Sequence, residues 1–486
     1  MPPFSLPVSR SHRPIWSIGA ITCIEFFETG LVMFSASPIM AGLALTPSDF
    51  ALVYTLYGVA SIFMLYKHQW MAERLGYRNF ILTSLLVFSL GSLCCASAQG
   101  IGQFALGRVL QGAGGATFFT AGRMEINRLP ADTRFYGLLA FIGSLLGASA
   151  IAPLAAALLL ETGGWRSIFW ATVPLAATIA WISLPCLSDS TTPAAERSEE
   201  HWGWLVWLVL AIFGLQYSIQ EIPVGTESPQ NGVFLTGLAS IVALSVFAWR
   251  QWQKDRPLID YRGLMQWRYL LGLALYFTGY FMIGASGFLL PIIFREGLGL
   301  SPGMTAAVLS FGMACSVATA LLHVAAARRW PYHRFYMLSG LALFALGCLG
   351  FGLSGRLNDW RWLLLPTFLC GIAIPLYIGP VAFGTFSELP SRVFSHAYQV
   401  KNIVRQLGIS SSIALATTCL QSQYSQHLAL QPEGLYPEWA QALHGLAGVS
   451  AGLISPLTLA AADVFTWLAA CMLPMAVIIA RQRTFR

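Results

Sequence analysis

Three side chains able to carry a proton or a fixed charge stand inside stretches otherwise apolar enough to cross a bilayer. Glu25 and Glu28 lie in IEFFETGLVMFSASP, and Arg108 lies in QFALGRVLQGAGGATFFTAGRMEIN, residues 103–127. The two acids are i, i+3 neighbours, so in a helix they share one face near the middle of the segment. Two carboxylates so close together in a low dielectric cannot both ionise cheaply, and at least one is expected to hold a proton. Such a group can load a proton from one side of a membrane and release it to the other, which is the chemistry of proton coupling. Arg108, Gln111, Gly112 and Gly115 fall at i, i+3, i+4 and i+7, giving one helical face with a charge, an amide and almost no bulk. A cation facing acyl chains is costly, so Arg108 is expected to point into a bundle interior or a water-filled cavity and to be the counter-ion of Glu25 and Glu28. The simpler alternative is a fixed Glu–Arg bridge that pins two helices and moves no proton. Gly112 and Ala116 form a small-xxx-small step along which a neighbouring backbone can approach closely.

The elements that position these groups are long apolar helices. The chain has 486 residues, 56% of them apolar and only 10% charged, with a mean hydropathy of +0.64. Soluble domains carry about 25% charged residues, so this composition belongs to an integral membrane protein. Period-2 alternation is absent, which disfavours a membrane barrel, and SRSHRPIW leads into the first span without a small-residue cleavage site. Fourteen apolar stretches can be marked off, from 17–43 to 459–480. An even count puts both termini on one side. Arg10 and Arg13, the tail arginines Arg481, Arg483 and Arg486, and the loops with Lys67, Arg74, Arg78, Arg128 and Arg134 mark that side as cytoplasmic. The same asymmetry accounts for the formal net charge of +7 without a nucleic-acid partner. Residues 1–186 hold six spans, 187–202 a polar cytoplasmic linker expected to be flexible, 203–267 an inserted helix pair with its own linker, and 268–486 six more spans. Within the last part a long outer loop covers 421–456, with Glu433 and Glu438 but no Lys or Arg.

Several strings along this frame occur in an order that resembles one family. The fourth span reads R-x-x-Q-G-x-G-G-A; QWMAERLGYRNF joins spans two and three; GSLLGASAIAPLAAALL forms the fifth span; GGWRSIFWATVP opens the sixth. RPLIDYR precedes span nine, N-x-x-R-Q-L-G covers 402–408 and AAADVF covers 460–465. Together they resemble the major facilitator superfamily, and within it the fourteen-span drug:proton antiporters, over nearly the whole chain. The resemblance implies an all-α integral membrane fold of two six-helix bundles plus an inserted two-helix hairpin, fourteen transmembrane helices working by alternating access. It implies a gating loop of Glu73, Arg74, Gly76 and Arg78, a charge relay that latches the outward-facing state. It implies helix packing through Gly112, Gly115, Pro153, Asn402 and Arg405, the last two within its late markers. Lys401 and Arg405 read as packing and gating charges facing Glu388 or the linker. Spans one, four, nine and twelve should line a substrate cavity with Gln111, Tyr276, Tyr280 and Tyr377. The chain departs from the family pattern at Gln69 and Glu73, where Gly and Asp are usual, and at Ala152, Ala156 and Ala157, where glycines are usual. Its first span departs most, with the Glu25/Glu28 pair in place of a single Asp.

A cavity holding acids, one arginine and several aromatics suits an amphipathic, aromatic or cationic solute. The reading is a proton-coupled secondary transporter of a bacterial inner membrane, exporting small organic molecules and working as a monomer. A dedicated transporter of one metabolite, such as a siderophore or an antibiotic, is the alternative within the fold; a non-transporting receptor or scaffold is the alternative outside it. An enzyme is disfavoured because no nucleophile–base pairing is evident, and no phosphate-binding G-x-x-x-x-G-K-[ST] occurs to suggest ATP drive. No cofactor is expected, and the nine cysteines and eight histidines show no metal-ligand spacing.

Overall fold

Fifty consecutive helical residues measure about 75 Å, more than twice the roughly 30 Å hydrocarbon thickness of a bilayer. Two such runs occur, Pro47–Ala96 and Arg134–Ser183, and each is interrupted once, at Gly76 (φ +75°) and at Gly164 (φ +68°). Both angles lie where only glycine sits without strain, so each run is two crossings joined by a tight glycine turn. The computed structural model describes residues 13–198, 201–221, 231–357, 360–430 and 455–485. Arg10, Arg486, and the part of the expected long outer loop at 431–454, with Glu433 and Glu438, lie outside the described residues.

Among the described residues there are twelve long helices, and the two glycine turns make fourteen crossings of them. The first crossing, α1, is Arg13–Phe34, which Ala36–Leu43 continues past a break at Ser35. Residues 47–75 and 77–96 are α2 and α3; Ile101–Arg128 is α4; residues 134–163 and 165–183 are α5 and α6. The inserted pair is α7 (Trp202–Gln220) and α8 (Asn231–Gln253). The second half comprises α9 (Trp267–Ile292), α10 (Pro302–Arg329), α11 (His333–Leu357), α12 (Leu364–Gly384), α13 (Phe394–Leu430) and α14 (Pro456–Arg481). Eleven of the twelve long helices are apolar and long enough to cross a membrane by composition. The exception is α4, whose glycines and polar residues, Arg108 among them, lower its hydropathy.

Local chemistry marks the helix starts. Thr46 accepts a hydrogen bond from the Asp49 amide (3.1 Å) while the Asp49 carboxylate accepts one from the Thr46 amide (2.9 Å), a reciprocal cap with Pro47 at the first helical position. Ser301 caps α10 through the Met304 amide (3.2 Å), again before a proline. Packing of the first half rests on small residues. A Cβ on Gly112 would overlap the Tyr57 carbonyl of α2, and one on Gly114 would sit 2.5 Å from the Ser84 carbonyl of α3. These contacts set α4 parallel to α2 and antiparallel to α3, consistent with a chain reversal at Gly76. Gly115, by contrast, has only ordinary contacts, the nearest at 3.5 Å to Phe88. Pro153 is buried in α5, and Ala152 beside it lies where a Cβ on Gly30 of α1 would come within 2.5 Å. The small residue that α5 lacks at Ala152 has its counterpart on α1.

The surface is apolar and the interior carries the charge. Leu86, Leu90, Ile151, Leu158, Leu210 and Leu235 are exposed, whereas Glu25, Glu28, Arg108, Lys401 and Arg405 are buried. That inversion is what a lipid solvent requires. The inserted pair is not set apart from the two halves. Thr55 of α2 donates to the Gln220 side chain (3.3 Å), and Thr418 of α13 donates to the Gln220 carbonyl (3.0 Å), so α7 bridges both halves.

Candidate functional site

In the middle of the bundle two buried ion pairs form on one face of α1. Glu28 pairs with Arg108 of α4, within the first half. Glu25 pairs with Arg405 of α13, across to the second half. This corrects the expectation that Arg108 serves both acids and that Arg405 faces Glu388. Glu388 instead pairs with Arg268 at 2.7 Å. The i, i+3 spacing that puts the two acids on one face also lets each reach a different neighbouring helix.

The Arg108 side is a connected polar chain. Arg108 donates to the Gln111 Oε1 (2.7 Å), Gln111 Nε2 donates to Ser92 Oγ (2.8 Å), and Thr172 Oγ1 donates to the same Ser92 oxygen (2.9 Å). The Arg108 guanidinium stacks over Tyr57, 4.3 Å from the ring centre. Gln111 thus orients the arginine and ties α4 to α3 and α6. The Arg405 side is aromatic: Phe26 and Phe119 rings lie 5.5 and 5.2 Å from its guanidinium carbon.

One turn before Arg405, Lys401 is 2% exposed. Among the described residues no hydrogen bond or ion pair holds it. Its Nζ lies 4.0 Å from the Phe119 ring centre and 5.3, 5.5 and 5.8 Å from those of Tyr398, Tyr276 and Tyr280. A desolvated cation over aromatic faces gains about 2 kcal/mol. Burying an ammonium costs several kcal/mol even after relaxation, so the rings do not balance the charge. The lysine is visible in the sequence, but its aromatic surroundings come from three helices, α4, α9 and α13, and are not.

Contacts between the halves run from this centre to both ends. Towards the face that holds the termini, Asn402 Nδ2 donates to Thr120 Oγ1 (2.6 Å) and Arg123 Nε donates to Tyr398 OH (2.9 Å). At the opposite end Phe50 of α2 stacks on Phe288 of α9, centroids 6.3 Å apart. The form is therefore closed at both ends. The expected chamber is not open at the ion pairs: Glu25, Glu28, Arg108, Gln111 and Arg405 are all 3% exposed or less. Several of their polar atoms nevertheless lack a hydrogen-bond partner, namely Glu25 Oε2, Glu28 Oε2, Arg108 Nη2 and Arg405 Nε. Buried polar atoms of this kind cost about 1–3 kcal/mol each, which disfavours a purely structural brace.

The remaining singled-out residues fall in three places. Tyr276 and Tyr280 stack on each other, 5.9 Å between centroids, beside Lys401. Tyr377 is not brought to the pairs; its hydroxyl donates to the Leu275 carbonyl (3.0 Å), and its ring packs beside Ile378 against Gly279 inside the second half. The loop residues meet the linker. The Glu73 carboxylate accepts from the Ser198 amide and hydroxyl (both 2.8 Å), Arg74 donates to the Ser198 carbonyl (2.9 Å), and Arg78 pairs with Asp189 (3.1 Å). A Cβ on Gly76 would lie 2.7 Å from the Asp189 carbonyl. The polar stretch read as a free linker is thus docked along the loop over residues 188–198. A cavity of about 470 Å³ beside it is lined by Glu73, Ser198, Asp260, Arg262, Arg392 and His396, among others. No group of His, Cys, Asp and Glu suited to a metal occurs among the described residues.

Comparison with known proteins fits this architecture. The family model described as Major Facilitator Superfamily matches residues 18–413. A putative multidrug resistance protein MdtD of Klebsiella pneumoniae is 25% identical over 432 residues, covering 87% of this chain and 89% of that protein. Its namesake in Cronobacter sakazakii is 25% identical over 415 residues, covering 83% and 84%. Among solved structures, a D-xylose–proton symporter superposes with a TM-score of 0.64 at 13% identity, covering 96% of this chain and 98% of its own. The peptide transporter PepTSo, of the POT family, gives 0.63 at 15% identity, covering 96% and 99%. At those identities the structures speak to the fold alone.

Proposed function

The chain belongs to the Major Facilitator Superfamily, and on that premise we propose that it is a proton-coupled secondary transporter exporting small amphipathic or aromatic organic molecules by alternating access. The relatives named as multidrug resistance proteins support this direction of transport. The bacterial inner membrane, with both termini in the cytoplasm and a single copy as the working unit, completes the reading. Positive loops on the termini face support that orientation.

The observation that carries the proposal is the division of labour between the two acids. Glu28–Arg108 stays within one rigid half, while Glu25–Arg405 ties one half to the other. Halves that rock apart must break the second pair, and an ionised Glu25 resists this because Arg405 would be left uncompensated. A proton on Glu25 removes the charge–charge attraction, leaving at most a hydrogen bond, and releases the tie. Glu28 is the neighbouring acceptor, and Arg108 stabilises its ionised form through the Gln111–Ser92–Thr172 chain. Solute and proton then compete for one form of the protein, which is what exchange requires. Asn402–Thr120 and Arg123–Tyr398 act as the cytoplasmic gate and Phe50–Phe288 as the outer one. The docked loop at Glu73, Arg74, Gly76 and Arg78 holds the linker while the halves move.

The test is solute flux in inverted vesicles with and without a proton gradient. Wild-type flux should depend on the gradient, and Glu25→Gln should lose that dependence while still allowing passive exchange. Gradient dependence unchanged in Glu25→Gln and Glu28→Gln alike removes both acids from coupling.

A further inference from the structure

The charges gathered at the seam between the halves do not cancel. Glu25 is already engaged by Arg405, yet Lys401 lies one turn away, and Arg123 donates to the hydroxyl of Tyr398, whose ring also borders Lys401. Lys401 is buried against ring faces, and among the described residues no hydrogen bond or ion pair reaches it. Arg405 Nε on the same turn of α13 is a buried donor without an acceptor, while the unpartnered acceptors Glu25 Oε2 and Glu28 Oε2 belong to acids already paired with arginines. A buried ammonium with no counter-ion of its own among the described residues, backed by Phe119, Tyr276, Tyr280 and Tyr398, describes a receptor for an anion attached to an apolar body.

Resting on the export reading above, we infer that the transported solute carries a carboxylate or sulfonate on an aromatic or aliphatic body, and that Lys401 takes the anionic group when the halves part. The stacked rings of Tyr276 and Tyr280 and the face of Phe119, freed from the ammonium as it turns to the anion, receive the apolar part. The cationic solute that the acids alone suggested is disfavoured, because both acids are engaged by arginines and the group left over is positive. Lys401 and Asn402 are adjacent in sequence, so occupation by an anion also pulls on the Asn402–Thr120 contact and couples binding to opening of the termini face.

Three fluorescent probes that share one body and differ in charge test this: dansylglycine, dansylamide and dansylcadaverine, titrated against the purified full chain in detergent. Dansylglycine should bind about tenfold or more tighter than dansylamide, the scale of one hydrogen bond to a charged group, and dansylcadaverine should bind weakest. Lys401→Gln should erase the difference between dansylglycine and dansylamide, leaving dansylamide within about twofold of wild type, and Lys401→Arg should retain most of it. Size-exclusion profiles and thermal unfolding check that each variant is folded. Equal affinities, a preference for dansylcadaverine, no binding of dansylglycine, or a Lys401→Gln variant weakened equally for all three overturns the inference; the last result would make the lysine a structural cation. The two readings fail separately. Lys401-dependent binding of dansylglycine that a proton gradient never moves in vesicles keeps the anion site and removes export. Gradient-driven export of dansylcadaverine alone does the reverse.

Discussion

Replacing Glu25 by Gln removes the charge that holds Arg405 while keeping the side chain's shape. Breaking a buried pair from one side costs about 3–5 kcal/mol. The lower figure applies here, because the new amide oxygen still accepts a hydrogen bond from the guanidinium. The cost falls on the closed form, in which Arg405 is 3% exposed and Lys401 stands one turn away. In forms whose halves have parted, Arg405 reaches water and the penalty is largely relieved. At about 1.4 kcal/mol per factor of ten, 3 kcal/mol shifts the balance towards the parted forms by roughly two orders of magnitude. A cysteine at Thr120, in a background stripped of native cysteines, reports this, because Thr120 is fully buried behind the Arg123–Tyr398 contact. Its labelling by an impermeant maleimide in inverted vesicles should accelerate about 100-fold with Glu25→Gln. Adding Arg405→Met should return the rate most of the way to its starting value, since an apolar replacement of the whole pair is close to neutral. Labelling unchanged by Glu25→Gln, or a double variant as fast as the single, would refute the claim that this pair ties the halves shut.

Other outcomes follow from the packing. Gly112→Ala should lower thermal stability by about 1–3 kcal/mol, because its Cβ meets the Tyr57 backbone. Gly115→Ala, three residues on, should be neutral or stabilising by up to about 1 kcal/mol, since its surroundings have room. Similar losses at both sites, measured by thermal unfolding in detergent, would contradict the assignment. Gly76→Ala places a side chain at φ +75° against the Asp189 carbonyl, a strain of about 1–3 kcal/mol. Trypsin should then cut at Arg197 about ten times faster, as the docked segment comes loose. Tyr377→Phe should cost about 0.5–1.5 kcal/mol of stability through the lost bond to Leu275 and leave export unchanged. Loss of export with stability intact would place Tyr377 in the solute path instead.

What the sequence disclosed was governed by local rules. Apolar length, the Thr46–Pro47 and Ser301–Pro302 starts and the glycines of α4 each act within a few residues, so spans and packing faces could be read directly. Two acids at i, i+3 in an apolar segment were enough to single out α1. The partners were a different matter. Glu25 and Arg405 are 380 residues apart, and nothing in either segment says which of two arginines each acid will meet. Lys401 and Arg405 point towards Glu388 only because that acid is near in sequence; α13 begins at Phe394 and carries them about two and about three helical turns inward, and Arg405 meets Glu25 instead. The Gly30–Ala152 contact shows the same limit. A substitution that looks like a loss on α5 is complementary once α1 is beside it. Composition alone predicts a flexible linker, whereas its order comes from hydrogen bonds to a loop more than a hundred residues earlier.

Proton movement driven by solute alone is the most direct test of the central claim. Proteoliposomes holding only the purified chain, with a pH-sensitive dye inside and no imposed pH gradient, should show a pH change when a gradient of a transported solute is applied. Protons should move opposite to the solute, and a Glu25→Gln/Glu28→Gln double variant should exchange solute with no pH change. Solute crossing the wild-type membrane with no proton moving in return would contradict the account.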